Sequence, residues 1–437
     1  MSPTYVPIIL FYPVTVAERT VGKHHGDLDL LKRSLSETLV HFYPMAGRLK
    51  DNIVVNCNDE GIEFFEVKIK AKMCDFMMIP DVPLSLLLPS EVVSMNVVKQ
   101  QAQVIVQVNM FDCGGTAICL CISHKIADAC TMSTFIRNWA GNTRTARLGG
   151  VIDVSSTNQN FLPSFDSASL FPPNEQLASS PGTPPTPVSY PKEDSSRDRI
   201  LSKRFVFDTV KITSVREKLQ VLMHENCKFH RPTRVEVVSA LIWKAAMKSA
   251  PTGSLLKVNH IVNFRKKMNP PLLDVSFGNL CGIVTVVIPA ATTATKNTAN
   301  QTRSSTSSEA QEGQLTEFLA QLRGEINKVK GDKGCIQKIF LSCIGGYEDS
   351  TVKNSDVEDE ALTLWMSSWC NFGFYDVDFG WGKPIWVTSD LLAAEPNKNM
   401  IFMIDTKCGE GIEVWAKFLE DDMAKFELHL SEILELF

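Results

Sequence analysis

A histidine and an aspartate four residues apart are the first candidates for chemistry in this sequence. His124 and Asp128 lie within residues 122–130, Ile-Ser-His-Lys-Ile-Ala-Asp-Ala-Cys. A neutral imidazole, with an ordinary pKa of about 6.5, can take a proton from a hydroxyl group at physiological pH. Asp128 could orient that ring, or its carboxylate could cap the helix that follows. So short a pattern also arises by chance, so a core histidine beside a capping aspartate stays open as an alternative.

A second candidate is the stretch at residues 374–384, Phe-Tyr-Asp-Val-Asp-Phe-Gly-Trp-Gly-Lys-Pro. Gly380 and Gly382 flank Trp381, and a proline follows, which requires a tight and specific backbone path. These residues alone favour a structural turn that packs a large aromatic ring, although Asp378 is also a candidate acid or base. Phosphate-binding glycine loops and the serine-hydrolase elbow have no match in the sequence.

The elements around the histidine predict where its side chain lies. Residues 116–122 are apolar and rich in β-branched residues and cysteine, which indicates a buried strand. Residues 129–140 carry Ile, Phe and Trp at helical spacing. His124 is therefore expected where a strand ends, and Asp128 where a helix begins, in a loop that can present an imidazole to a cavity.

Strands and helices alternate along the whole chain, which predicts an α/β fold with mixed sheets. Two hairpins are expected, one joining residues 53–56 to 62–67 and the other joining residues 104–111 to 116–123. At 437 residues the chain is too long for one core, so two domains are expected. A stretch rich in Pro, Ser, Gly and charge at residues 172–199 predicts a crossover linker between domains at residues 1–171 and 200–437.

Composition excludes several classes of protein. The formal net charge of -5 argues against nucleic acid or an anionic membrane as the main partner. The 12 cysteines are scattered without metal-ligand spacing, which predicts free thiols, no metal site and a cytoplasmic location. No run approaches the roughly 20 apolar residues that span a bilayer, and no signal peptide is visible.

The ordered combination of the two motifs resembles the plant BAHD family of acyl-CoA-dependent acyltransferases, over essentially the whole chain. Supporting segments are residues 35–48, Val-Asn-Phe-Arg at 262–265, Phe-Gly-Asn at 277–279 and Ser-Ser-Trp at 367–369. Within the family the sequence is most similar to alkaloid acetyltransferases. The segments that carry this closer similarity are residues 5–13, 106–115, 164–173 and 405–415.

The resemblance implies two similar chloramphenicol-acetyltransferase-like domains, each a mixed β-sheet with helices, and an active-site channel between them. Residues 352–380 would return to the first domain. The implied activity is transfer of an acetyl group from acetyl-CoA to the hydroxyl of a small alkaloid, of the morphinan type, such as the 7-hydroxyl of salutaridinol. The expected protein is a monomer that associates at most weakly with enzymes of the same pathway.

The resemblance also assigns roles to residues. His124 would be the general base in a ternary complex, with no acyl-enzyme. Asp128 would turn away from the cavity and pair with Arg265, while Asp378 is a catalytic candidate for which a structural role is favoured, as for Gly380, Trp381 and Gly382. Asn279 and Trp381 are candidate donors to the oxyanion. Expected contacts to CoA or substrate come from Thr233, Arg234, Asn263, Asn279, Ser368 and Trp369.

Two departures from the family pattern leave alternatives open. Family members carry a longer N-terminus, and Asn371 stands where related alkaloid acyltransferases have arginine. That loss could free a carboxylate partner or alter the acceptor pocket. A non-catalytic, shortened member that binds a ligand or a pathway partner is therefore one alternative. Transfer from another donor, such as benzoyl- or malonyl-CoA, is a second alternative.

Overall fold

The chain forms two compact units, seen in a computed structural model. Unit 1 comprises Met1–Arg199, Pro271–Leu280 and Phe372–Pro396, and unit 2 comprises Ile200–Pro270, Cys281–Asn371 and Asn397–Phe437. The structure describes residues 5–14, 24–50, 54–78, 84–93, 102–150, 161–171, 199–224, 231–251, 254–289, 307–330, 362–389 and 398–437.

The described strands are β1 (Tyr5–Tyr12), β2 (Arg48–Lys50), β3 (Val54–Asn56), β4 (Glu63–Ile69), β5 (Val104–Phe111), β6 (Thr116–Ser123), β7 (Ile200–Phe207), β8 (Leu255–Asn263), β9 (Cys281–Pro289), β10 (Leu362–Ser368), β11 (Trp386–Thr388), β12 (Met400–Asp405) and β13 (Ile412–Leu419). The described α-helices are α1 (His24–His41), α2 (Met73–Met78), α3 (Ser90–Val93), α4 (Ala129–Arg147), α5 (Ser167–Leu170), α6 (Thr209–His224), α7 (Arg234–Ser249), α8 (Ser307–Val329) and α9 (Glu420–Glu435). Short 3₁₀ turns lie at Tyr43–Ala46, Leu84–Leu87, Arg265–Lys267 and Phe374–Asp376.

Unit 1 is built on a five-stranded mixed sheet with the order β11-β1-β6-β5-β4. The central strand β6 is antiparallel to both β1 and β5, and all of its residues after Thr116 are buried. β4 pairs in parallel with β5. A strand covered on both faces is apolar along its whole length, which explains why residues 116–122 lack the alternation of a half-exposed strand.

Helices α1 and α4 of unit 1 contact each other through buried polar groups as well as apolar ones. The Ser34 and Thr143 hydroxyls lie 2.8 Å apart, and the Trp139 indole N–H donates to the Leu31 carbonyl at 3.1 Å. Each of these polar groups is buried, so its hydrogen bond recovers the cost of leaving water. The contacts fix α4 lengthwise against α1, and with it the loop that precedes α4.

Unit 2 is built on a six-stranded mixed sheet with the order β7-β13-β12-β10-β8-β9. Three adjacent strands, β8, β10 and β12, run parallel, and antiparallel strands complete both sides. The last residues of the parallel strands, Asn263, Ser368 and Asp405, therefore lie at the same edge. In open α/β sheets, ligands bind outside the carboxyl ends of such strands.

One of the two predicted hairpins is wrong. β3 pairs with β2, and β4 pairs with β5 in parallel, so residues 53–56 and 62–67 are not partners. The intervening residues contain a glycine at positive φ, Gly61, but its N–H donates to the Ala46 carbonyl and not across a hairpin. The second hairpin, at residues 104–111 and 116–123, is present with the expected register.

The predicted domain limits need two corrections. β10 lies between β8 and β12 of unit 2, so the return of residues 352–380 to unit 1 begins only at Phe372 and continues to Pro396. Within residues 200–437, Pro271–Leu280 also belongs to unit 1. Ser276 in this segment forms an isolated β-bridge with Ser164, a long-range pairing that local sequence patterns do not indicate. Of the predicted linker, only Arg199 is among the described residues.

No helix in the described part of the chain is long and apolar enough to cross a bilayer. The cysteines that the structure describes are free thiols, including Cys119 and Cys121 on the buried strand β6.

Candidate active site

His124 follows the last residue of β6, at the first corner of a tight turn. The Ile126 N–H donates to the Ser123 carbonyl at 3.1 Å, which closes the turn, and the Ser123 N–H donates to the Gln103 carbonyl at 2.8 Å. A turn fixed to the central strand holds the imidazole where the strand leaves the sheet. Protein atoms crowd the ring, yet it is not sealed from solvent. The expected position at the end of a strand is therefore what the structure has.

The side-chain amide of Asn279 lies against the inner side of this imidazole. Its Nδ2 donates to the His124 carbonyl oxygen at 2.7 Å and lies 3.2 Å from the ring Nδ1. The ring also hydrogen bonds the backbone carbonyls of His124 and Ala127. A carbonyl oxygen only accepts, so the nitrogen facing it carries the proton. The Asn279 Nδ2 can only donate, so it bonds Nδ1 when that nitrogen carries no proton, and the roles of the two ring nitrogens follow from the tautomer.

The surroundings of His124 favour the neutral ring. Burial lowers its pKa below the ordinary value, and this effect outweighs the negative charge of Asp128 and the two backbone hydrogen bonds, which raise it. A neutral imidazole has one unprotonated nitrogen, which can accept a proton from a hydroxyl group near physiological pH.

Asp128 caps α4 and also hydrogen bonds a segment that is distant in sequence. Its Oδ1 accepts from the Thr131 N–H at 2.9 Å, as an N-cap, and its Oδ2 accepts from the Leu280 N–H at 2.9 Å. The Thr131 hydroxyl adds a bond to the Gly278 carbonyl at 2.9 Å. The carboxylate therefore holds the segment that carries Asn279 against the start of α4.

Asp378 lies inside the glycine-rich turn. Its Oδ1 accepts from the Gly380 N–H at 2.8 Å and the Gly382 N–H at 2.9 Å. Both glycines have positive φ, +102° and +104°, and a Cβ on Gly380 would approach the Arg147 Cδ at 2.9 Å. These contacts are those of a structural turn; a catalytic role for Asp378 stays a prediction.

The ring of Trp381 belongs to an aromatic cluster. It stacks on Phe379 at 5.4 Å between centroids, meets Tyr12 edge-on at 6.0 Å, and carries the Arg147 guanidinium 5.5 Å above it. Its indole nitrogen is buried and has no hydrogen-bond partner among the described residues. The expected oxyanion roles of Trp381 and Asn279 stay predictions.

In unit 2, the residues expected to contact CoA lie at or beside the carboxyl edge of the parallel strands. Asn263 and Ser368 end their strands, Trp369 follows, and Arg234, beside Thr233, contacts Asp405 at the end of β12. Thr233 caps α7 in a reciprocal pair with Glu236. These residues therefore lie near one edge of the sheet, and their contact with CoA or substrate stays a prediction.

Asn371 hydrogen bonds both Asp405 and Arg234 at this edge of the sheet. Its N–H donates to the Asp405 Oδ2 at 2.6 Å, and its Oδ1 accepts from the Arg234 Nη2 at 3.2 Å. Arg234 also bonds the Asp405 Oδ1 at 3.1 Å and the Gly411 carbonyl at 3.2 Å. Asp405 is therefore a paired carboxylate in this structure, and an altered acceptor pocket, the other expected consequence of Asn371, stays a prediction. Sequence reasoning missed Asp405, although its place at the end of a predicted strand was a usable signal.

Arg265 is fully buried in the structure. Its backbone N–H and its Nη1 both donate to the Asn263 Oδ1, at 3.1 and 3.2 Å, so Asn263 orients the guanidinium. Arg265 belongs to unit 2 and Asp128 to unit 1. Their expected ion pair stays a prediction. Across the described residues, no group of three or more His, Cys, Asp or Glu side chains could hold a metal ion.

Comparison with known proteins gives two kinds of match. A family model described as the Transferase family matches residues 1–433. The (13S,14R)-1,13-dihydroxy-N-methylcanadine 13-O-acetyltransferase AT1 of Papaver somniferum is 66% identical over 440 residues, which cover 100% of this chain and 92% of the relative. Salutaridinol 7-O-acetyltransferase of the same plant is 64% identical over 435 residues, 99% of this chain and 91% of the relative.

Solved structures agree on the fold. The crystal structure of vinorine synthase superposes with a TM-score of 0.68 at 28% identity, and the match covers 99% of this chain and 91% of that one. The Fusarium graminearum TRI101 complex with coenzyme A and deoxynivalenol has a TM-score of 0.68 at 14% identity, covering 98% and 94%. The second likeness concerns the fold alone.

We expect Asp128→Asn to lose both stability and activity. An amide has one accepting oxygen, so either the Thr131 or the Leu280 N–H would lose its acceptor, at a cost of about 1–3 kcal/mol. Thermal unfolding and turnover are the two measurements. Asp208→Asn is the matched control, because Asp208 is an exposed cap with one such bond, from the Lys211 N–H, and asparagine caps helices equally well. A stable but inactive Asp128→Asn protein would contradict the bracing role.

We expect Asp378→Asn to stay active and Asp378→Ala to lose stability. Both glycine N–H groups donate to one oxygen, which asparagine retains and alanine lacks. Turnover of the asparagine variant should lie within about threefold of wild type, since no proton transfer is removed. Turnover and thermal unfolding, measured on both variants, test this. A loss of about a hundredfold or more in Asp378→Asn at unchanged stability would instead support proton transfer by Asp378.

Proposed function

This chain belongs to the Transferase family, the plant BAHD acyltransferases, and is an acyl-CoA-dependent O-acyltransferase, and we propose that it transfers the acetyl group of acetyl-CoA to a hydroxyl group of an alkaloid, with His124 as the general base. The observation that supports the mechanism is the imidazole at the end of β6, in contact with the Asn279 amide and with its pKa lowered by burial. The expected monomeric state and cytoplasmic location stay predictions.

The identity of the donor and acceptor rests on the relatives. Two proteins of Papaver somniferum that are 64% and 66% identical to this chain are named for acetylation, one of salutaridinol at O-7 and the other of a dihydroxy-N-methylcanadine at O-13. Two relatives at this identity, acting on different alkaloids, support an acetyl donor and an alkaloid acceptor. The 7-hydroxyl of salutaridinol is our first candidate, and the 13-hydroxyl of the canadine derivative is the second, because its enzyme is as similar.

The proposed reaction is a direct transfer within a ternary complex. The unprotonated ring nitrogen of His124 takes the proton of the acceptor hydroxyl as the hydroxyl oxygen attacks the thioester carbonyl carbon. A new C–O bond forms, and the electron pair of the carbonyl moves onto its oxygen. Collapse of this tetrahedral intermediate breaks the C–S bond, and the imidazolium returns its proton to the CoA thiolate. Atoms and charge balance without a metal or an acyl-enzyme.

General-base catalysis accounts for a definite part of the rate. A positioned base contributes about 10²–10⁴-fold, equivalent to roughly 3–5 kcal/mol of barrier. Asn279 keeps the ring oriented, and Asp128, through the backbone of Leu280, keeps Asn279 in place. Asp128 therefore supports the base through position, in contrast to a triad in which the carboxylate bonds the ring.

Turnover of the full chain tests the proposal. Purified protein is incubated with acetyl-CoA and with either salutaridinol or (13S,14R)-1,13-dihydroxy-N-methylcanadine, and free thiol and acetylated product are measured. Benzoyl- and malonyl-CoA are the alternative donors. Release of CoA without an acetylated alkaloid, or preference for another donor, would contradict the proposal.

In the same assay, we expect His124→Ala to lower kcat by about 10²–10⁴-fold. Thermal unfolding should stay near that of the wild type, because the ring lies at a turn and not in the core. The control is His429→Ala, which removes a partly buried histidine of α9 whose ring hydrogen bonds Glu432 at 3.1 Å. Near-full turnover by His124→Ala would exclude His124 as the base.

The pH profile provides a separate test of the proposed base. The pKa of His124 is lowered from its ordinary value, so the imidazole is neutral at about pH 7 and remains so at higher pH. We expect kcat to be flat between about pH 7 and 8 and to fall tenfold per unit below the lowered pKa, as the base becomes protonated. Measurement of kcat at saturating substrates gives the profile. A rate that still rises between these two pH values would indicate a raised pKa instead.

A further inference from the structure

The Thr131 side chain, in the first turn of α4, binds the backbone of Gly278 twice. Its hydroxyl donates to the Gly278 carbonyl at 2.9 Å, and the Gly278 N–H donates to the same hydroxyl at 3.2 Å. A hydroxyl has one donor and two acceptor lone pairs, so the two bonds can form together. Thr131 is buried, which makes these bonds costly to lose. One side chain therefore bonds both polar backbone groups of Gly278.

Gly278 has a backbone conformation that other residues rarely adopt. Its φ is +134°, in a range that residues with a Cβ avoid. Lack of space is not the reason for a glycine here, since an added Cβ would lie 3.6 Å from the Ser167 Oγ, at ordinary contact distance. The path of the backbone is what requires glycine, and the two bonds to Thr131 hold that path.

The residues on both sides of Gly278 are held by other hydrogen bonds. The Ser167 hydroxyl donates to the Phe277 carbonyl at 2.7 Å. The Leu280 N–H donates to the Asp128 Oδ2 at 2.9 Å. Together with the bonds at Gly278, these contacts fix the main chain before and after the asparagine that contacts the imidazole.

We propose that Thr131 is a positioning residue, which sets the place of the Asn279 amide beside the His124 ring through the backbone of Gly278. The Asn279 Nδ2 lies 2.7 Å from the His124 carbonyl oxygen and 3.2 Å from the ring Nδ1, so a small rotation of the chain at Gly278 would move the amide away from both. A displacement of about 1 Å in a catalytic group can cost roughly a hundredfold in rate. The inference rests on the proposed role of His124 as the general base.

Positioning is separable from the helix cap at the same residue. The cap uses the Thr131 backbone N–H, which donates to the Asp128 Oδ1 at 2.9 Å, whereas the bonds to Gly278 use the side-chain hydroxyl. Valine has the same β-branched shape as threonine and keeps the backbone N–H. Thr131→Val therefore removes the bonds to Gly278 and leaves the cap.

Steady-state kinetics of the full chain measures the effect. We expect Thr131→Val to lower kcat for acetyl transfer about tenfold, because the Asn279 amide is no longer held beside the ring. The KM for acetyl-CoA and for the alkaloid should stay within about twofold, since neither is bound by this hydroxyl. Thr131→Ser keeps a hydroxyl and should recover most of the lost kcat.

Thr134→Val is the matched control. Thr134 is also buried, lies about one turn further along α4, and has its hydroxyl 3.1 Å from the Cys130 carbonyl oxygen. The same hydroxyl lies 3.4 Å from the carbonyl oxygen of Asp274, which precedes Gly278 in the segment Pro271–Leu280. Its loss should lower the unfolding temperature about as much as Thr131→Val does and leave kcat within about twofold of wild type.

The ring nitrogens of His124 give a readout that requires no turnover. In the full chain labelled with a heavy nitrogen isotope at histidine, their chemical shifts report which nitrogen carries the proton and where the ring titrates. His124→Ala identifies the signals of this ring. We expect these signals to change in Thr131→Val and to match the wild type in Thr131→Ser and Thr134→Val.

Two outcomes would overturn the inference: wild-type kcat with unchanged His124 signals in Thr131→Val, or an equal loss of kcat in Thr134→Val. The second result would mean that the hydroxyls of α4 act only through stability. If the wild type fails to acetylate the tested alkaloids while the His124 signals change as expected, the positioning role is supported and the proposed function is not.

Discussion

The geometry around His124 depends on one carboxylate with two backbone donors. Asp128 accepts from the Thr131 N–H with one oxygen and from the Leu280 N–H with the other. A buried backbone N–H without an acceptor is costly, so both segments are held as long as the carboxylate stays charged and in place. Asn279 lies in one of these segments and contacts His124. Asp128 thus maintains the orientation of the imidazole indirectly, through the backbone of the segment that carries Asn279.

Asp128 affects the position of the His124 ring more than its charge state. Burial lowers the pKa of His124 by more than the negative charge of Asp128 raises it, and two backbone N–H groups donate to that carboxylate. A neutral ring at physiological pH is what a general base for a hydroxyl requires. In a serine-protease triad, by contrast, the aspartate bonds the ring and stabilises the imidazolium. Here the amide of Asn279 occupies the side of the ring where a triad places its carboxylate.

Unit 2 shows how sheet topology gathers residues that are far apart in sequence. Three parallel strands end at one edge, where Arg234 forms an ion pair with Asp405 and the backbone N–H of Asn371 donates to the same carboxylate. The hydrogen bonds of Asn371 therefore link the segment after β10 to the end of β12 and to Arg234 at this edge.

The sequence by itself determined the local features. It indicated β6 as a buried strand, α4 as a helix that begins after Asp128, and a turn built around Gly380 and Gly382, since caps, turns and apolar periodicity act within a few residues. Only the tertiary structure decided that β4 pairs with β5 in parallel, that residues 362–368 lie in the sheet of unit 2, and that Leu280 bonds Asp128. Strand pairing depends on the burial of whole sheet faces, and long-range hydrogen bonds depend on which backbone groups still lack a partner. The spacing of neighbouring residues therefore predicts neither of them.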